Sequence, residues 1–82
     1  MGNKVKIEQA LKDAFAPVYL NVMDEGAKHI GHAGAKEGGH FRVEIVSDAF
    51  NGKKLLERHR MVYAALEHLK SSIHALSIQA RQ

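Results

Sequence analysis

The second half of this chain carries a strand pattern, a helical pattern and a second strand pattern in direct succession. Apolar and polar residues alternate from His40 to Ser47 and again from Leu76 to Ala80. Between them, after an Asn-Gly break at positions 51 and 52, apolar residues recur every three or four positions, as on one helix face. Two strands joined by a helical crossover within one sheet are parallel, with a right-handed connection. This succession therefore predicts a parallel strand pair with helical cover.

The first half predicts a helix followed by a strand. The segment from Lys4 to Phe15 has apolar residues at every fourth position, with Asn3 as the expected N-cap. Pro17 ends this helix, because the residue before a proline avoids helical geometry. The next segment alternates as a half-buried strand, expected to pair antiparallel with the His40–Ser47 strand, and its apolar positions are Val18, Leu20 and Val22.

The crossover pattern predicts a short turn over Lys53–Glu57 and a longer helix from about Arg58 to Lys70. The expected order is α-β-β-α-α-β. The fold class is α/β (α+β), a single small domain over residues 1–82 with a mixed three-stranded sheet and helices on one face.

Composition limits the chemistry that the chain can perform. Its 82 residues suit one domain, and they include no cysteine, so the chain offers no thiolate to a metal or to covalent catalysis. Its net charge of +3 is compatible with an acidic protein or nucleic acid as partner. No apolar run approaches the ~20 residues of a membrane span. We expect a soluble chain in the cytoplasm or an equivalent reducing organelle interior.

Two histidines in separate segments are candidate metal ligands. His29 lies in a long glycine-rich segment from Gly26 to Gly39, and His74 lies between a helical pattern and a strand. Neither completes an apolar pattern, and neutral imidazole is a good ligand for iron, zinc or copper. A closed structural site needs about four ligands, so these two could supply half of a site completed by a partner. The alternative is that both are ordinary polar surface residues.

The remaining histidines have other expected roles. His32 lies close enough to His29 to replace it as a ligand. His40, which opens a strand, is expected to make a structural hydrogen bond. His59 lies on the apolar helix stripe and is expected to be partly buried and hydrogen-bonded, whereas His68 is expected to face solvent without a function.

A basic segment follows the Asn-Gly break. Its cations could form a solvated face, a surface for an acidic partner, or a surface for phosphates; they are Lys53, Lys54, Arg58 and Arg60. No Ser/His/Asp arrangement, cysteine nucleophile or phosphate-binding glycine loop is apparent, so the sequence does not favour an enzyme.

Several motifs together resemble the BolA-like family. Phe50 begins F-x-G-K-x-L-x-x-R-H-R-x-V-Y and Ile73 begins I-H-A-L-S-I; F-x-P occurs at Phe15, H-F-x-V at His40 and V-S at Val46. The resemblance implies a fold similar to class II KH domains. It also implies a monothiol glutaredoxin partner and a shared [2Fe–2S] cluster, with thiolates from the glutaredoxin cysteine and glutathione.

The same resemblance assigns roles to individual residues. His74 matches the histidine of the family's H-A-L-S segment, and His29 best matches the loop ligand, with His32 as the alternative. The chain alone would hold no cluster, and would be a monomer or a weak homodimer. Some relatives are described as transcriptional regulators, so the alternative function is DNA binding through the basic helix region.

Overall fold

The structure, a computed structural model, describes residues 2–25 and 39–82. Within these ranges, helices and strands follow one another largely in the order that the sequence predicts. Two short 3-10 helices, Asp48–Phe50 and Glu67–Ser72, flank the second α-helix. The remaining elements are α1 Asn3–Phe15, β1 Tyr19–Asp24, β2 His40–Val46, α2 Leu55–Ala65 and β3 Ala75–Arg81.

The three strands form one mixed sheet in the order β1-β2-β3. β1 pairs antiparallel with β2, with Leu20 opposite Ile45. β3 pairs parallel with β2, with Ile78 opposite Val43. The predicted mixed sheet, including its parallel pair across the helical connection, is confirmed.

The core lies between one face of the sheet and the two α-helices. In β2, Phe41, Val43 and Ile45 are buried and alternate with half-exposed residues, as the period of a strand requires. The α-helices contribute residues from their apolar stripes. The ring centroids of Phe15 and Phe50 lie 5.0 Å apart. The fully buried helix residues are Ile7, Leu11 and Val62.

Both ends of α1 are set by the backbone. The helix begins at Asn3 with Gly2 as its N-cap and no side-chain cap, so the prediction that Asn3 caps the helix is wrong. At the other end Ala16 adopts a left-handed conformation (φ 43°), and its N–H donates to the Lys12 carbonyl. Pro17 follows, as predicted.

Val18 departs from the predicted strand pattern. Its N–H donates to the Val46 carbonyl at 2.9 Å, but its side chain is 78% exposed. The strand proper begins at Tyr19, so Val18 precedes the residues that are paired with β2. Only Val22 is fully buried in β1.

The helical boundaries predicted for the crossover are also wrong. One helix covers Leu55–Ala65, and it ends at Leu66, whose backbone is not helical (φ −102°, ψ 8°). Leu66 is 2% exposed, and the apolar spacing continues through it into the 3-10 helix Glu67–Ser72. Because core contacts continue across the break, the spacing of apolar residues does not reveal it. In the part of the chain that the structure describes, no helix has the length and apolar character needed to cross a bilayer.

Ser47 is a buried residue that forms hydrogen bonds to three other segments of the chain. It is 1% exposed; its hydroxyl donates to the Phe15 carbonyl at 2.6 Å and accepts from the Ala49 N–H at 3.1 Å. Its own N–H donates to the Arg81 carbonyl at 2.9 Å. The side chain of Ser47 therefore links the end of α1 to the 3-10 helix Asp48–Phe50, and its backbone N–H links the same residue to the end of β3.

We expect Ser47→Ala to lower the free energy of unfolding by about 1–3 kcal/mol, because the part-buried Phe15 carbonyl and Ala49 N–H lose their partner. Ser77→Ala, an exposed serine on β3, should change it by less than about 0.5 kcal/mol. Chemical denaturation of both variants measures the difference. Equal stability of the two variants would contradict the linking role of Ser47.

Candidate functional site

His74 has a fixed backbone and an exposed side chain. It lies between the 3-10 helix Glu67–Ser72 and β3. Its N–H donates to the Gly39 carbonyl at 2.8 Å, and the Ala75 N–H donates to the same carbonyl at 3.1 Å. The exposure predicted for His74 is confirmed. A solvent-facing imidazole on a hydrogen-bonded backbone is available to a metal or a partner.

Gly39 passes unusually close to this histidine. Its φ is +74°, and a Cβ added there would lie 2.5 Å from His74 Cδ2 and 2.8 Å from the Ser72 carbonyl oxygen. Such a separation is too short for a real Cβ, and L side chains rarely adopt this φ. Glycine therefore allows the backbone entering β2 to lie against the imidazole ring.

The sheet brings both flanks of the glycine-rich segment to the end that carries His74. Asp24 pairs with Phe41 at the end of β1, and His40 pairs with Ala75 at the start of β3. Glu25 lines a shallow depression together with His40 and Ala75. The predicted ligands His29 and His32 fall in residues 26–38, outside the described residues, so their distance from His74 stays a prediction.

The other described histidines lie on three different elements. His40 is half-buried and is not a free side chain. His59 is half-buried on α2 as predicted, but its Nε2 is buried and makes no hydrogen bond among the described residues. His68 is exposed as predicted. Across residues 2–25 and 39–82, no three His, Cys, Asp or Glu residues come together as a metal site.

The structure divides the predicted basic segment into two parts. Lys53, Lys54 and Arg60 are exposed. Arg58 instead directs its guanidinium to the protein: Nε donates to the Lys53 carbonyl at 2.8 Å, Nη1 to the Ala80 carbonyl at 3.1 Å, and Nη2 to Gln82 Oε1 at 3.1 Å. Three cations therefore face solvent, and the fourth holds the start of α2 to the end of β3.

Two side chains from α2 also bond to the outer edge of β3. The Ala75 N–H and the Arg81 carbonyl bond toward β2, so the alternate residues Leu76 and Ala80 turn their backbone groups outward. Tyr63 Oη donates to the Leu76 carbonyl at 3.4 Å, while Arg58 donates to the Ala80 carbonyl. Sequence analysis missed this role, because it depends on where α2 lies against β3 and has no local sequence signal.

Large apolar side chains accompany the exposed cations. Leu55 is 65% exposed and Leu56 is 60% exposed, both directly after Lys54. Tyr63 is half-exposed farther along α2. Apolar and aromatic groups beside arginine are the composition of protein interfaces.

We expect Arg58→Ala to lower the free energy of unfolding by about 1–2 kcal/mol, since several charge-assisted hydrogen bonds disappear from a partly solvated site. Amide hydrogen exchange should also accelerate in β3. Arg60→Ala, which removes an exposed cation two residues away, is the matched control and should leave both properties nearly unchanged. Identical exchange in the two variants would show that Arg58 does not secure the strand.

Most of the chain matches a known protein family and several of its members. A family model described as BolA-like protein matches residues 11–82. The DNA-binding transcriptional regulator BolA of Escherichia coli (strain K12) is 46% identical over 74 residues, which are 89% of this chain and 69% of that protein. Protein BOLA2 of Arabidopsis thaliana is 45% identical over 82 residues, covering 100% of this chain and 80% of the relative.

Solved structures agree with these matches. BolA1 from Arabidopsis thaliana has a TM-score of 0.85 at 38% identity, covering 99% of this chain and 92% of that one. The BolA domain of SufE1 from the same plant has a TM-score of 0.81 at 44% identity, covering 99% and 93%. The chain also matches 23% of the full-length SufE-like protein 1 of Arabidopsis thaliana, so the same unit occurs within a longer protein.

Proposed function

Since this chain belongs to the BolA-like family, we propose that it is a non-enzymatic iron–sulfur adaptor. It pairs with a monothiol glutaredoxin to bind, transfer or sense a [2Fe–2S] cluster. The observation that carries this proposal is the exposed imidazole of His74, on a fixed backbone at the sheet end where residues 26–38 leave and return.

The donor set of the chain suits half of a cluster site. His74 supplies one imidazole, and His29, or His32 in its place, supplies the second. The sequence has no cysteine, so the thiolates come from the glutaredoxin cysteine and from glutathione. Imidazole in place of thiolate makes a cluster less negative and raises its reduction potential. A mixed set of this kind favours transfer or sensing over simple storage.

The backbone around His74 prepares it for this role. The Gly39 carbonyl accepts from two successive N–H groups, those of His74 and Ala75, so the position of the histidine is set before a partner arrives. A ligand held in place loses little conformational entropy on binding. The adjacent half-exposed start of β2 leaves the ring accessible.

The exposed face of α2 suits the partner itself. Lys53, Lys54 and Arg60 would attract an acidic surface or the carboxylates of glutathione. Leu55 and Leu56 would supply apolar contacts between these cations.

We expect His74→Ala to fold with nearly the stability of the parent, because its side chain is exposed and its backbone bonds are retained. A heterodimer of this variant with cluster-loaded glutaredoxin should nevertheless lose the distinctive visible circular dichroism of the shared cluster. His68→Ala, which removes another exposed histidine, is the matched control. The chain alone should not hold a cluster.

The loop ligand requires separate variants. His29→Ala should weaken the shared cluster less than His74→Ala if His32 can replace it. The double change His29→Ala with His32→Ala should then match the effect of His74→Ala. An unchanged cluster spectrum for His74→Ala, in a heterodimer shown to form by sedimentation, would rule out ligation by that residue.

DNA binding is the second candidate function. The relative from Escherichia coli is named a DNA-binding transcriptional regulator. In this chain Lys53 and Lys54 are exposed directly before α2 and Arg60 is exposed in the middle of that helix, and cations of this kind can meet phosphates. Three cations are a small footprint, so this function stands behind the adaptor proposal.

The double change Lys53→Glu with Lys54→Glu discriminates the two functions. Under the adaptor proposal it weakens glutaredoxin binding, measured by calorimetry, while the parent shows no sequence-selective affinity for duplex DNA. If regulation is the function, the parent binds a selected duplex at submicromolar concentration in ~0.15 M salt, and affinity falls steeply with added salt. That result would place DNA binding first.

A further inference from the structure

A groove on the helical side of the molecule is separate from the His74 site. It lies between α1 and the segment that follows α2, with a volume of about 560 Å³. Its small or apolar lining residues are Val5, Ala10, Ala14, Ala65 and Leu69. Its rim is polar and includes Lys6, Gln9, Asp13 and His68.

On the side of the groove formed by α1, the charged residues are one cation and one anion, Lys6 and Asp13. Lys6 and Asp13 are seven residues apart, so they lie on the same face of α1 at a separation of about 10 Å along its axis. Gln9 Nε2 donates to Asp13 Oδ1 at 2.9 Å and holds that carboxylate along the rim. Within the described residues Lys6 forms no ion pair, and it is exposed.

This arrangement is complementary to itself. A second α1 lying antiparallel, with a two-fold axis between Gln9 and Ala10, brings each Lys6 against the Asp13 of the other copy. Both contacts form at once, because a two-fold interface repeats every contact. The small side chain of Ala10 at the axis permits close approach of the two helices. We propose that the occupant of this groove is a second copy of the chain.

The size of the groove indicates a weak dimer. Stable interfaces bury about 800 Å² on each partner, and a groove bounded by one helix and a short neighbouring segment offers less than that. The apolar residues provide most of the affinity, and the two ion pairs select the antiparallel orientation. No lining residue of the groove belongs to the site around His74 or to the basic segment. This inference is therefore independent of the proposed function.

Sedimentation equilibrium of the full chain from ~10 µM to ~1 mM tests the proposal. The weight-average mass should rise above the 9.1 kDa of one chain as concentration increases. Lys6→Asp places a carboxylate opposite Asp13 of the other copy at both contacts, so the dissociation constant should increase about ten-fold. Lys4→Asp is the matched control: it makes the same charge change in the same helical turn but outside the groove, and dimerisation should persist.

A mixing experiment separates this interface from other modes of association. Asp13→Lys alone should weaken the dimer by a similar factor, because two ammonium groups then face each other at both contacts. An equimolar mixture of Lys6→Asp and Asp13→Lys should recover the dimer, since both cross-contacts are attractive again. Circular dichroism confirms that each variant keeps its helices. A parent chain that stays monomeric at ~1 mM, or a mixture that does not recover, would overturn the proposal.

Discussion

The parallel pairing of β2 with β3 determines where His74 lies relative to Gly39. Parallel strands begin at the same end of a sheet, so the residue before β3 must lie beside the residue before β2. Those residues are His74 and Gly39, joined by a hydrogen bond of 2.8 Å. The antiparallel β1 ends at this same place, with Asp24 opposite Phe41. Topology alone therefore gathers the flanks of residues 26–38 around the exposed imidazole.

Much of this arrangement is predictable from sequence because it depends on periodicity. Alternation in the segments around Val43 and Ile78 identifies two strands, and the helical spacing between them requires a parallel crossover. The exposure of His74 follows from its position outside every apolar pattern. These predictions succeed because each rests on several residues that repeat one pattern.

The failures concern single residues whose role depends on tertiary structure and not on a repeated local pattern. Arg58 has the same charge as Arg60, yet it bonds to carbonyls near the end of β3, and no local pattern distinguishes the two. Leu66 ends α2 through its backbone while its side chain continues the apolar stripe. Val18 has the right residue type for a buried strand position but precedes the paired residues of β1. In each case tertiary position overrides local sequence preference.

Arg58 and Tyr63 bond to two outward-facing carbonyls of β3, and these bonds affect how much soluble protein a cell can maintain. An open sheet edge is a template on which other chains can add strands and aggregate. Arg58 and Tyr63 occupy two acceptors along that edge, so a newly arriving strand would have to displace them before it could pair. A lineage that lost these side chains would first experience poorer solubility and faster proteolytic turnover, while the exposed imidazole of His74 stayed in place.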